Sequence, residues 1–146
     1  MPTKKYGFLH VALAGAATLA LGASAFASAD KAGTGTEQAT RGAELYGKHC
    51  ASCHGKSGEG TKKAPPVVGK EALPLDPRPT AKVRKEQFHT AQDVAKFVAT
   101  KMPGDKPGSL TADQYYDILA FDLKANGVDV SKKKIDPTTA AEIKLH

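Results

Sequence analysis

The 146-residue chain has no tryptophan, only two cysteines and two methionines, and aromatic residues make up 6% of it. So few large rings leave a thin core of its own, and a domain this small needs apolar bulk from another source to bury enough surface. Two cysteines exclude a disulfide-dense scaffold. With no second Cys pair set apart from the first, a structural zinc site would lack its usual two-pair ligand set. The main apolar run, Val11 to Leu21, is shorter than the roughly 18 residues of a spanning helix, so no stable membrane span is expected. Charge of one sign is not in large excess either: 21 Lys+Arg against 15 Asp+Glu give +6, which is no nucleic-acid footprint. No internal repeat is apparent.

The N-terminus reads as an export address. Lys4 and Lys5 form a basic start, Val11 to Leu21 is a run of small and aliphatic residues, and Ala27-Ser28-Ala29 fits the small-x-small cleavage rule. Residues 1–29 are predicted to be a signal peptide cleaved after Ala29, with Ala27 as second choice, which places the mature chain in the periplasm. An uncleaved anchor over Tyr6 to Phe26 is the alternative. No cysteine near the cleavage position could carry a diacyl anchor. Loss of Lys4 and Lys5 leaves the mature chain at +4. The excess either solvates the surface or forms a basic rim that steers acidic partners.

The chemistry centres on Cys50-Ala51-Ser52-Cys53-His54. Two cysteines two residues apart and followed at once by histidine match the attachment signature of c-type haem, with both thiols as thioethers and His54 on iron. One short turn can present two sulfurs along a porphyrin edge while the adjacent imidazole swings beneath the metal. A thioredoxin-like dithiol, half a zinc site or a plain disulfide are the rival readings. An export signal upstream agrees with haem, which is joined to reduced thiols outside the bacterial inner membrane.

Residues 30–39 read as a flexible lead-in. From Arg41 to Cys50 the spacing predicts a short helix, capped by Thr40, with Ala43, Tyr46 and Cys50 on one face. Gly42 and Tyr46 precede Cys50 by eight and four residues. This glycine-aromatic-CxxCH run resembles the N-terminal helix of the class I cytochromes c. The resemblance implies a small all-α cytochrome c fold, three to four short helices wrapped around one covalently bound haem c, with the N- and C-terminal helices crossing. Gly42 would allow that close crossing and Tyr46 would pack at it. Pro65, or its neighbour Pro66, would offer its carbonyl to the second nitrogen of the axial histidine.

Residues 70–86, with Pro74, Pro77 and Pro79, read as loop without a clean period, and no function is assigned to them. A helix begins near Thr90 with Asp93 behind it, and leads into Lys101-Met102-Pro103-Gly104. Met102 is the one methionine left after Met1 goes with the signal. Its place after a helix, some fifty residues beyond the haem turn, is where the family puts its sixth iron ligand. Packing filler is the plainer reading of a methionine, and His89 is the rival ligand. Thr111 caps a last helix running to about Ala125, stopped by Asn126-Gly127. The resemblance assigns Phe121 to the crossing, against Gly42. Residues 40–127 form the predicted cytochrome c domain, and 128–146 a polar extension, wrapped on the surface or loose.

The implied function is one-electron transfer by a monomeric carrier that docks transiently on redox partner proteins and is not itself an enzyme. A haem-bearing subunit of a larger oxidoreductase is the alternative. So is a ligand sensor or enzyme, if Met102 can be displaced.

Overall fold

Four capped turns and one glycine crossing set the architecture of the computed structural model, which describes residues 1–2 and 33–146. Residues 3–32, which carry the predicted export signal, its cleavage position and the first part of the lead-in, lie outside the described residues. The described part is all-α, with helices α1 (Gly35–His49), α2 (Ala51–His54), α3 (Ala91–Lys101), α4 (Ala112–Ala125) and α5 (Pro137–Glu142). Among the described residues there is no strand, only one isolated antiparallel bridge between Thr90 and Lys144.

Helix α1 starts six residues earlier than the spacing predicts. Its cap is Thr34, not Thr40: the Thr34 backbone N–H donates to Glu37 Oε2 at 2.9 Å, and the Glu37 N–H returns to Thr34 Oγ1 at 3.4 Å. A reciprocal box of this kind satisfies two orphan donors, and its cap contributes about 1 kcal/mol. Residues 35–39 are therefore helix, and Gln38 and Ala39 are buried. Thr40 lies inside the helix and donates its hydroxyl to the Thr36 carbonyl.

The crossing of α1 with α4 depends on Gly42. A Cβ there would overlap the Asp117 carbonyl and stand 3.0 Å from Phe121 Cβ, so any larger residue would force the helices apart. The rings of Tyr46 and Phe121 meet at 5.0 Å between centroids. Arg41 closes the same contact with a two-pronged ion pair to Asp117 at 2.8 and 2.9 Å. Beyond the crossing, Val94 of α3 and Leu119, Ala120 and Leu123 of α4 form the core with Phe88, Val130, Ile135 and Ala140.

The C-terminal residues contribute to this core through Val130, Ile135 and Ala140. Gln38 pairs with both backbone groups of Ile135, donating to its carbonyl at 2.9 Å and accepting from its N–H at 2.5 Å. A fifth helix, α5, exceeds the three to four expected, because Asp136 caps it through the Thr138 and Thr139 N–H groups and Pro137 opens it. The last residues then run back along the start of α3: Ala91 N–H donates to the Ile143 carbonyl and Leu145 N–H to the His89 carbonyl, each at 3.0 Å.

Residues 70–86 have no regular structure, yet they are not slack. The buried Arg84 guanidinium donates to the carbonyls of Glu86, Pro74 and Leu75 at 2.9, 2.7 and 2.5 Å. It also stacks 3.7 Å above the Phe88 ring, which in turn meets Phe97 of α3 edge-on. One side chain thus ties the loop to the helical body.

Candidate functional site

The turn after α1 gathers the reactive side chains. Cys50 ends α1 with its N–H on the Tyr46 carbonyl at 2.8 Å, and the N–H groups of Cys53 and His54 both return to the Cys50 carbonyl, at 3.1 and 2.9 Å. Cys50 is half-buried, Cys53 is exposed, and the two thiols are not joined. Tyr46 donates its hydroxyl to the Gly55 carbonyl at 2.9 Å, fixing α1 to the chain beyond the histidine. Gly55 sits at φ +89°, a left-handed backbone that turns the chain sharply after His54. Thr61 donates to the Cys53 carbonyl at 2.5 Å.

His54 is oriented by one bond. Its Nδ1 lies 2.8 Å from the Pro65 carbonyl, an acceptor only, so Nδ1 carries the proton and Nε2 keeps its lone pair. Gly58 and Gly60 let the intervening loop fold back: Val67 and Val68 donate to the Gly58 carbonyl at 2.8 and 3.0 Å. A Cβ on Gly60 would stand 2.7 Å from the Pro66 nitrogen. Asn126, at the end of α4, holds the far side, donating to the Val67 carbonyl at 2.8 Å and accepting from Gly69 N–H at 3.0 Å.

The Cys50 thiol does not suit a redox pair. Burial, then the Asp122 carboxyl and Cys53, push the Cys50 thiol up to about 12, whereas exchange chemistry needs a thiolate near neutral pH. Zinc fares no better, since among the described residues no three His, Cys, Asp or Glu side chains cluster to hold a metal ion. What the turn offers is two unjoined sulfurs and an imidazole with a fixed tautomer and a free Nε2. That donor set fits a covalently bound haem.

Met102 follows α3, its N–H still bonded to the Val98 carbonyl at 3.0 Å and its backbone extended. Its carbonyl accepts from the Tyr115 hydroxyl at 2.6 Å and from Gly108 N–H at 3.3 Å. His89, the rival ligand, pairs its Nε2 with Gln87 at 3.1 Å. Among the predicted site residues, Gly42, Tyr46 and Phe121 come together at the helix crossing, and His54 meets Pro65. Met102 lies on a separate segment.

Three residues with consequences at this site escaped sequence reading. Asp122 lies on α4. It is buried, its Oδ1 has no hydrogen-bond partner, and burial pushes its carboxyl up to about 8. Tyr115 and Arg84 act through partners 13 and 10 residues away, Met102 and Pro74, and no local pattern announces such bonds.

An all-α body whose first and last long helices cross at a glycine, with a CxxCH turn at the end of the first, defines a class I c-type cytochrome. The chain belongs to the family described as cytochrome C oxidase, cbb3-type, subunit III, whose model matches residues 37–121. Haem c is the cofactor of this domain and electron transfer its activity. Among solved structures, the chain is similar to part of the sulfane dehydrogenase SoxCD from Paracoccus pantotrophus. The likeness has 27% identity and a TM-score of 0.54, covering 73% of this chain and 52% of that one. Thiosulfate dehydrogenase (TsdBA) from Marichromatium purpuratum shares 32% identity at a TM-score of 0.43, over 57% of this chain and 17% of that one. The chain thus spans about half or less of each of these structures. No curated protein matches it.

Proposed function

We propose that the chain is an exported, periplasmic one-electron carrier with a single haem c, joined through Cys50 and Cys53 and held by His54 and Met102. Bound haem supplies one iron that cycles between ferric and ferrous states. The chain's own part is to hold it. Cys50 and Cys53 would hold the haem covalently, the Pro65 carbonyl keeps the His54 ring turned, and Met102 would supply a soft donor that favours the ferrous state. With His54 and Met102 both holding the iron, no open position would be left for a substrate.

The observation that carries this reading is the 2.8 Å contact between His54 Nδ1 and the Pro65 carbonyl, which leaves Nε2 as the lone-pair donor inside a CxxCH turn. The test is the absorption spectrum of the exported protein, oxidised and reduced, beside that of Met102→Leu. The expected result is a low-spin spectrum whose ferric thioether band is lost in the variant. A colourless product would end the reading, and a band that survives Met102→Leu would remove Met102 from the iron.

A second reading, a fixed electron-transfer subunit of a larger oxidoreductase, is favoured by the likeness to about half of a dehydrogenase chain. Native mass separates the two: a carrier runs as a monomer, a subunit with its assembly.

A further inference from the structure

Met102 leaves α3 and enters a loop that returns to α4 at Thr111, and the two ends of this loop meet at one hydroxyl. Tyr115 Oη donates to the Met102 carbonyl at 2.6 Å and lies 3.5 Å from the Leu110 N–H. Tyr115 is 5% exposed, so its hydroxyl depends on these partners and not on water. Inside the loop the bonds are few: Lys106 N–H to the Pro103 carbonyl at 3.0 Å, Ser109 N–H to the Lys106 carbonyl at 3.3 Å, and Gly108 N–H to the Met102 carbonyl at 3.3 Å. The shortest bond that the Met102 carbonyl receives comes from Tyr115.

A carbonyl held in place fixes the peptide plane that follows Met102 and therefore its ψ angle. For Met102 to swing its side chain away as a unit, that plane must rotate and the Tyr115 bond must break. The side chain itself has no such anchor: among the described residues, no hydrogen bond is made to the Met102 sulfur.

We propose that Tyr115 is the positioning residue for Met102, setting how readily the thioether yields its place to another ligand. The proposal rests on Met102 being an axial donor. Tyr115 touches neither iron nor substrate and acts only through the Met102 backbone.

The test is the affinity of free imidazole for the ferric holoprotein, read by loss of the thioether band, in wild type, Tyr115→Phe and Tyr116→Phe. Tyr116 lies on the same helix and donates to Gln92 at 3.0 Å, away from the Met102 loop, so it controls for general loosening of α4. Tyr115→Phe is expected to keep covalent haem and the band but bind imidazole about tenfold more tightly, the change that one lost hydrogen bond of ordinary strength allows. Tyr116→Phe is expected to match wild type. An unchanged affinity in Tyr115→Phe, or an equal rise in both variants, overturns the proposal.

If Tyr115→Phe does not yield folded protein, amide exchange of wild type replaces it. Saturating imidazole should speed exchange at Gly108 and Leu110, because coupling between the two events is reciprocal. Unaltered exchange there counts against the clamp. Failure of the underlying ligation shows separately, as a band that Met102→Leu does not abolish.

Discussion

The turn that carries Cys50, Cys53 and His54 and the loop that carries Met102 are anchored by opposite means. In the first, the side chain itself is bonded: His54 Nδ1 meets the Pro65 carbonyl at 2.8 Å, and the two cysteines stand one at the N-cap of a four-residue helix and one within it. In the second, only the backbone is held, through the Met102 carbonyl, and the sulfur makes no hydrogen bond among the described residues. A donor fixed through its own ring keeps its direction when the chain breathes. One fixed through the peptide behind it keeps its place only while that peptide is held. On the proposed ligand set, the imidazole side is the more firmly held of the two.

The largest break in this comparison removes the permanent side. Cys50→Ala/Cys53→Ala is expected to yield a colourless chain without a cooperative thermal transition, since the core holds few large side chains of its own and a buried porphyrin supplies the missing bulk. Calorimetry of the purified variant checks it, and a sharp melt would show that the protein core suffices alone.

The next effect is electrostatic. Asp122 is buried without a partner for Oδ1, and its carboxyl is raised from 3.8 to about 8 by burial. The folded protein therefore holds this proton where the unfolded chain has lost it, so Asp122 favours folding at low pH. That contribution falls away as pH rises through about 8. Asp122→Asn should flatten this decline and gain most over wild type above pH 8, as chemical denaturation across the pH range would report. A variant with the wild-type slope would mean that Asp122 has a partner when haem is bound.

The smallest effect sharpens the comparison directly. Thr61 holds the Cys53 carbonyl much as Tyr115 holds that of Met102, but its bond is exposed and local. Thr61→Val is expected to cost about 1 kcal/mol or less and to leave the ferric spectrum unchanged, because His54 has its own anchor in Pro65. A spectral change would place the two segments on an equal footing.

Elements with local signals were legible in the chain. Thr90 with Asp93, Thr111 with Gln114 and the Asn126-Gly127 stop each read correctly as helix ends, because a cap is a contact between residues three or four apart. The start of α1 was misread although its signal was equally local: Thr34 and Glu37 form the box, but the flanking Gly33 and Gly35 resemble a linker. Gly35 is there for another reason, since a Cβ on it would overlap the Val130 carbonyl. The CxxCH turn was plain from spacing, whereas Pro65, Phe121 and Met102 could be named only through the family resemblance. Bonds such as Gln38 to Ile135 and Tyr115 to Met102 join distant residues of ordinary type, and nothing in their own neighbourhoods marks them.

The C-terminal seam sets an order of events. Synthesis delivers the thiol-bearing turn well before residues 130–145, which must close over α1 and the start of α3. Until that late stretch arrives, Gln38 has no partner and the body cannot shut. Residues 130–145 thus act as a latch on the helical body, fastened by bonds to Gln38 and to the start of α3 that span most of the described chain.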